Sequence, residues 1–98
     1  MRIGVMLLVV PLLGCSPDIP PVTPELLARH PTADAAQLER GRTILLTRCT
    51  TCHAAREPRR LRPDQWPSML DIMAPRAYLP PTDRNDLQAY LLVASQEP

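Results

Sequence analysis

Residues 49–53 read Cys-Thr-Thr-Cys-His, and this C-x-x-C-H pattern limits what the chain can fold into more than any other stretch of it. Two thiols three positions apart lie on one helical turn, and an imidazole follows directly after the second. Closely spaced thiols serve three chemistries. A structural zinc site needs four Cys or His ligands, and outside this cluster the chain offers only Cys15 and His30, both poorly placed. A thioredoxin-like redox pair sits in a βαβ context, whereas the flanks here carry no run of alternating β-branched residues and read as helix. The third chemistry fits: Cys49 and Cys52 can both reach the vinyl groups of one porphyrin, and His53 is carried under the ring to its iron. C-x-x-C-H is the attachment pattern of a c-type haem.

The chain has 98 residues, enough for one small domain. Its only aromatic side chains are Trp66, Tyr78 and Tyr90, so a polypeptide core alone would be thin. A covalently held apolar macrocycle would fill such an interior, in agreement with the motif. All basic residues are arginines, and the formal net charge of only +1 argues against a nucleic-acid partner. With two cysteines in the motif and the third at position 15, no disulfide framework is expected.

At the N-terminus, Arg2 precedes a continuous apolar run over 3–13, too short to span a bilayer as a settled helix and suited to a signal peptide. Its end, Leu12-Leu13-Gly14-Cys15, resembles the lipobox of bacterial lipoproteins. That resemblance implies a signal peptide over 1–14, cleavage before Cys15, and acyl chains on Cys15 that hold the protein to a membrane. Ser16 in the next position is similar to the outer-membrane-directed lipoproteins of Gram-negative bacteria, with the inner membrane as the alternative. Over 15–32, Pro17, Pro20, Pro21, Pro24 and Pro31 leave room only for a short helix around 25–29, so an extended tether is expected. At roughly 3.1 Å per residue it would hold the domain up to about 50 Å from the bilayer. His30 reads as a solvated histidine of this tether, with distal iron ligation as a minor alternative.

The domain is expected over 33–98. Asp34 is a good N-cap for a helix running to Thr47, with Leu38, Gly41 or Arg42, and Leu45 on one face. Gly41 costs this helix about 1 kcal/mol against alanine, which calls for a compensating close contact. A second helix is expected from an Asp64 cap to Met73, with Trp66, Met69 or Leu70, and Met73 on its apolar face. A loop over 74–81 follows, then a last helix capped by Thr82 that carries Leu87, Tyr90, Leu91 and Ala94 on one stripe.

Gly41, Ile44, Leu45, the Cys49–Cys52–His53 motif, the helix bearing Trp66 and Met73 and the closing Tyr90-Leu91 pair together resemble class I c-type cytochromes over about 34–95. The resemblance implies an all-α fold of three main helices around one haem, with Gly41 packed against Tyr90. It implies His53 as proximal iron ligand and Met73 as distal ligand, Met69 being the alternative, with Trp66 a candidate to pack on the haem. Between motif and second helix, Arg56, Arg59, Arg60 and Arg62 form a solvated loop, a set of partners for haem propionates, or a rim for an acidic redox partner. The carbonyl of Pro58 or Pro63 is expected to accept a hydrogen bond from the second ring nitrogen of His53. The expected function is single-electron transfer between donor and acceptor proteins, without catalysis, by a lipid-anchored periplasmic protein. The alternatives are a subunit through which electrons enter a larger oxidoreductase and a haem-based sensor of small ligands.

Overall fold

The computed structural model describes residues 3–10 and 17–98; the lipobox end, Cys15 and Ser16 lie outside the described residues. All regular structure in the described residues is helical, so the chain is all-α, and none of their helices is long and apolar enough to cross a membrane. Residues 3–10 have no regular secondary structure, and their apolar side chains are exposed.

Among the described residues four α-helices form the body: α1 (Pro24–Arg29), α2 (Ala35–Thr47), α3 (Trp66–Arg76) and α4 (Pro81–Ala94). Single 3₁₀ turns at Cys49–Thr51, Pro58–Arg60 and Pro63–Gln65 link α2 to α3. Asp34 caps α2 as expected: its Oδ1 accepts from the backbone N–H of Ala36 at 2.9 Å and of Gln37 at 3.4 Å. The main packing is α2 against α4, with Leu38 and Leu45 buried against Leu87, Leu91 and Ala94. Trp66 and Leu70 of α3 complete the same core.

Gly41 lets the two helices approach. A Cβ at this position would overlap the backbone carbonyl of Asp86 and stand 2.7 Å from the Cβ of Tyr90, so the expected contact between Gly41 and Tyr90 is present. Beside the crossing, Arg40 Nε donates to Asp86 at 2.9 Å, and the guanidinium holds the Asp86 carboxyl below its ordinary range.

Three expected helix boundaries change. The helix carrying Met73 does not end there: α3 continues through Pro75 to Arg76. In the last turn, proline removes only the bond to the Asp71 carbonyl. Its end is a Schellman motif, in which Tyr78 N–H donates to the Pro75 carbonyl at 3.2 Å and Leu79 N–H to that of Ala74 at 3.0 Å. Tyr78 takes the left-handed position at φ 54°, where glycine is usual. The start of α3 is preceded by the Pro63–Gln65 turn, so Asp64 is not its cap; the Asp64 carboxylate faces Arg62 instead. Helix α4 begins at Pro81 after a Pro80 cap, since proline at N1 sacrifices no intrahelical bond, and Thr82 lies inside the first turn.

The largest correction concerns 15–32. Its described part is not an extended tether but a strap folded over the bundle. Ile19 and Leu26 are buried in the core. The Pro20 carbonyl accepts from the hydroxyl of Tyr90 at 2.6 Å and from Arg42 Nε at 3.2 Å, while Arg42 Nη2 donates to the Ile19 carbonyl at 3.2 Å. Helix α1, capped by the Thr23 hydroxyl, sends Arg29 as a bidentate partner to the buried Glu97, with bonds of 2.8 and 3.0 Å. Prolines prevent long helices in this stretch, yet they also stiffen a chain whose carbonyls remain free to accept hydrogen bonds. The folded unit therefore begins near Asp18 rather than at residue 33.

Candidate functional site

Helix α2 delivers the C-x-x-C-H motif. Its last turn would leave carbonyls without partners, and the threonines at this end supply them. Thr50 Oγ1 donates to the Leu46 carbonyl at 2.9 Å and to that of Thr47 at 3.0 Å, and just beyond the helix Thr51 Oγ1 donates to the Arg48 carbonyl at 2.6 Å. The two residues between the cysteines thus close the helix end and set up the 3₁₀ turn that carries Cys49 into the interior. Burial pushes the Cys49 thiol up, against a smaller opposing effect of Arg48, so the thiol is held protonated. Cys52 and His53 follow on the exposed side of the turn, and both cysteines are free thiols.

Cys49, Cys52 and His53 line a cavity of about 260 Å³, with Leu45, Leu70, Met73, Leu87 and Leu91 among its walls. A second cavity of about 440 Å³ continues past His53 and Met73 to Trp66, Met69 and Leu61. His53 and Met73 therefore border both spaces, whereas Met69 borders only the one that the cysteines do not reach. Trp66 is held in the second wall by donating its Nε1–H to the Pro58 carbonyl at 2.9 Å.

That bond corrects the expected partner of His53. His53 Nδ1 meets neither the Pro58 nor the Pro63 carbonyl but that of its own neighbour, Ala54, at 2.8 Å, while the Pro58 carbonyl accepts from Trp66. A carbonyl can only accept, so Nδ1 carries the proton and Nε2 of the neutral ring keeps its lone pair. This is the tautomer that a histidine needs in order to bind a metal through Nε2. His30 is far from this arrangement in function: its ring faces the buried Glu97 at 3.8 Å and lines neither cavity.

Charge around the cavities is of one sign. Arg48, Arg56 and Arg76 line the first, Arg56 and Arg60 the second, and no carboxylate lines either. Arg59 and Arg62 are turned away into pairs with Asp18 and Asp64. Arg48 and Arg76 have no motif to mark them in the sequence, although Arg48 immediately precedes Cys49. Its Nη2 donates to the carbonyl of Ala77 at 3.0 Å, tying the end of α2 to the Schellman turn of α3.

An apolar space bordered by two thiols, a histidine with a free Nε2, a thioether and several guanidiniums fits a flat apolar ligand that bears carboxylates and a metal. Among the described residues no three His, Cys, Asp or Glu side chains converge on a point. Comparison of the chain with protein-family models, with curated proteins and with solved structures returned no match.

Proposed function

We propose that this chain is a lipid-anchored, single-haem electron-transfer protein of the periplasmic side, made with a signal peptide over 1–14 and held to its membrane through Cys15. The observation that carries the reading is the meeting of Cys49, Cys52, His53 and Met73 around one apolar cavity. Cys49 and Cys52 would hold a haem c covalently, His53 would bind its iron through Nε2 and Met73 through its thioether, with Met69 the alternative. The group would supply a one-electron Fe(II)/Fe(III) couple.

The chain's own residues account for the rest of the behaviour expected of a carrier. The Ala54 carbonyl fixes the ring of His53. Leu45, Leu70, Leu87 and Leu91 would cover the group with apolar walls, and the guanidiniums along the lining would offset its carboxylates. If His53 and Met73 both hold the metal of the group, they would leave no place on it for a substrate, and transfer of an electron to and from partner proteins would be the whole activity.

A potentiometric titration followed in the visible spectrum tests this reading. A single one-electron transition is expected. A Met73→Ala variant should lose the near-infrared band of Met-to-iron ligation and fall in potential, while Met69→Ala should keep both. Retention of the band in Met73→Ala overturns the ligand assignment, and a protein without any redox transition overturns the function.

A further inference from the structure

The strap that replaces the expected tether leaves almost no free chain between the lipidation site and the folded body. Asp18 is fixed to the turn over 57–59 twice: its backbone N–H donates to Glu57 Oε1 at 3.1 Å, and its carboxylate pairs with Arg59. One residue later Ile19 is buried, and the Ile19 and Pro20 carbonyls are held by Arg42 and Tyr90. Cys15 is three residues before Asp18. Because an extended chain advances at most about 3.6 Å per residue, Cys15 can stand no more than about 11 Å from Asp18, whatever path the intervening residues take. Acyl chains on Cys15 would therefore bring the surface around Asp18 to the bilayer headgroups.

That surface is the arginine turn. Arg56 and Arg60 are exposed and have no carboxylate partner among the described residues, Arg62 is exposed and meets only its near neighbour Asp64, and Glu57 is occupied by the strap. Guanidiniums are suited to the phosphates of lipid headgroups, which they can bind in bidentate fashion, and cations beside an anionic leaflet are attracted to it. We propose that the turn over 56–62 is a membrane-contact surface, pressed against phospholipid headgroups by a short Cys15 anchor, so that the domain lies flush on its membrane instead of standing off from it. This rests on the lipidated Cys15 of the proposed function. It also gives the strap a purpose beyond covering the core: the strap fixes which side of the domain faces the lipid. Since Arg56 and Arg60 border the second cavity too, that side is the one nearest His53, Trp66 and Met69.

The test uses the mature haem-loaded protein reconstituted on vesicles of zwitterionic lipid, with and without an added anionic lipid. The mass of its N-terminal peptide first reports whether Cys15 is acylated. Backbone hydrogen exchange is then measured over 56–62, with 71–76 as an internal reference. Contact with lipid should slow exchange over 56–62 several-fold relative to the reference, more so with anionic lipid. In a variant with about ten Gly and Ser residues inserted between Pro17 and Asp18, which lengthens the reach of the anchor by up to about 36 Å, the slowing should be lost while the protein stays on the vesicles. An Arg60→Gln variant, altered only at an exposed side chain, should lose the extra effect of anionic lipid. Unchanged exchange over 56–62 on an acylated protein overturns the contact surface alone. An unmodified Cys15 overturns the anchoring reading and the contact surface with it.

Discussion

Gly41 and Tyr90 meet backbone to side chain at the crossing of α2 and α4, where a methyl group on Gly41 would stand 2.7 Å from the Tyr90 Cβ and overlap the Asp86 carbonyl. The obstructing atoms are helix backbone and a fully buried side chain, so they cannot swing aside. Gly41→Ala gains about 1 kcal/mol of helix propensity but forces the helices apart, and overpacking of this kind costs about 1–3 kcal/mol or more. The variant should be less stable by about 1–2 kcal/mol, read as a lower urea midpoint at unchanged m-value. A neutral or stabilised variant would mean that the helices do not approach this closely.

Leu26 separates a strap from a tether. Its side chain is 2 % exposed in the core. Leu26→Ala should lower stability by about 2–5 kcal/mol, the usual range for truncating a buried leucine. The same change in an extended linker would leave the urea midpoint where it was.

Tyr78 holds the left-handed position at the end of α3 with an L side chain and is 86 % exposed, so its side chain contributes little packing in return. The conformation costs a non-glycine residue about 1 kcal/mol. Tyr78→Gly should therefore be neutral to about 1 kcal/mol more stable, after the entropy that glycine adds to the unfolded chain. Tyr78→Val should be destabilised. Thermal midpoints of the two variants check both signs.

Tyr90 makes stability sensitive to alkali. Burial raises its phenol from 10.0 to about 12, an effect only partly offset by Arg42. The folded state thus holds its proton to higher pH than the unfolded chain does. The contribution is fully present below pH 10 and is lost as pH rises toward about 12. Denaturation midpoints measured across that window should fall, and Tyr90→Phe should flatten the fall while losing about 1 kcal/mol at neutral pH with its bond to the Pro20 carbonyl.

Local rules made much of this legible in the sequence. Asp34, the apolar spacing of Leu38, Leu45, Leu87 and Leu91, and an otherwise unexplained Gly41 point to two helices in close contact, and the structure has them. What the sequence hides is long-range. Prolines over 17–31 announce an irregular chain without saying whether it is free, because the contacts that fasten it reach Arg42, Tyr90 and Glu97 far along the sequence. The end of α3 is hidden for a similar reason: Pro75 in the last turn costs only one bond, and the Arg48 side chain braces the turn beyond it. Cys49, Cys52, His53 and Met73 are visible by type and spacing. That Arg48 and Arg76 line their cavity, and that Ala54 orients His53, follows only from how the helices close.

The most direct test of the account is the mass of the mature protein produced in a host that makes c-type cytochromes, before and after denaturation. The account predicts a chain that carries one haem through both treatments, and a Cys49→Ser/Cys52→Ser variant that carries none. A wild-type chain with two free thiols and no added group, from a host that loads other cytochromes normally, would contradict it.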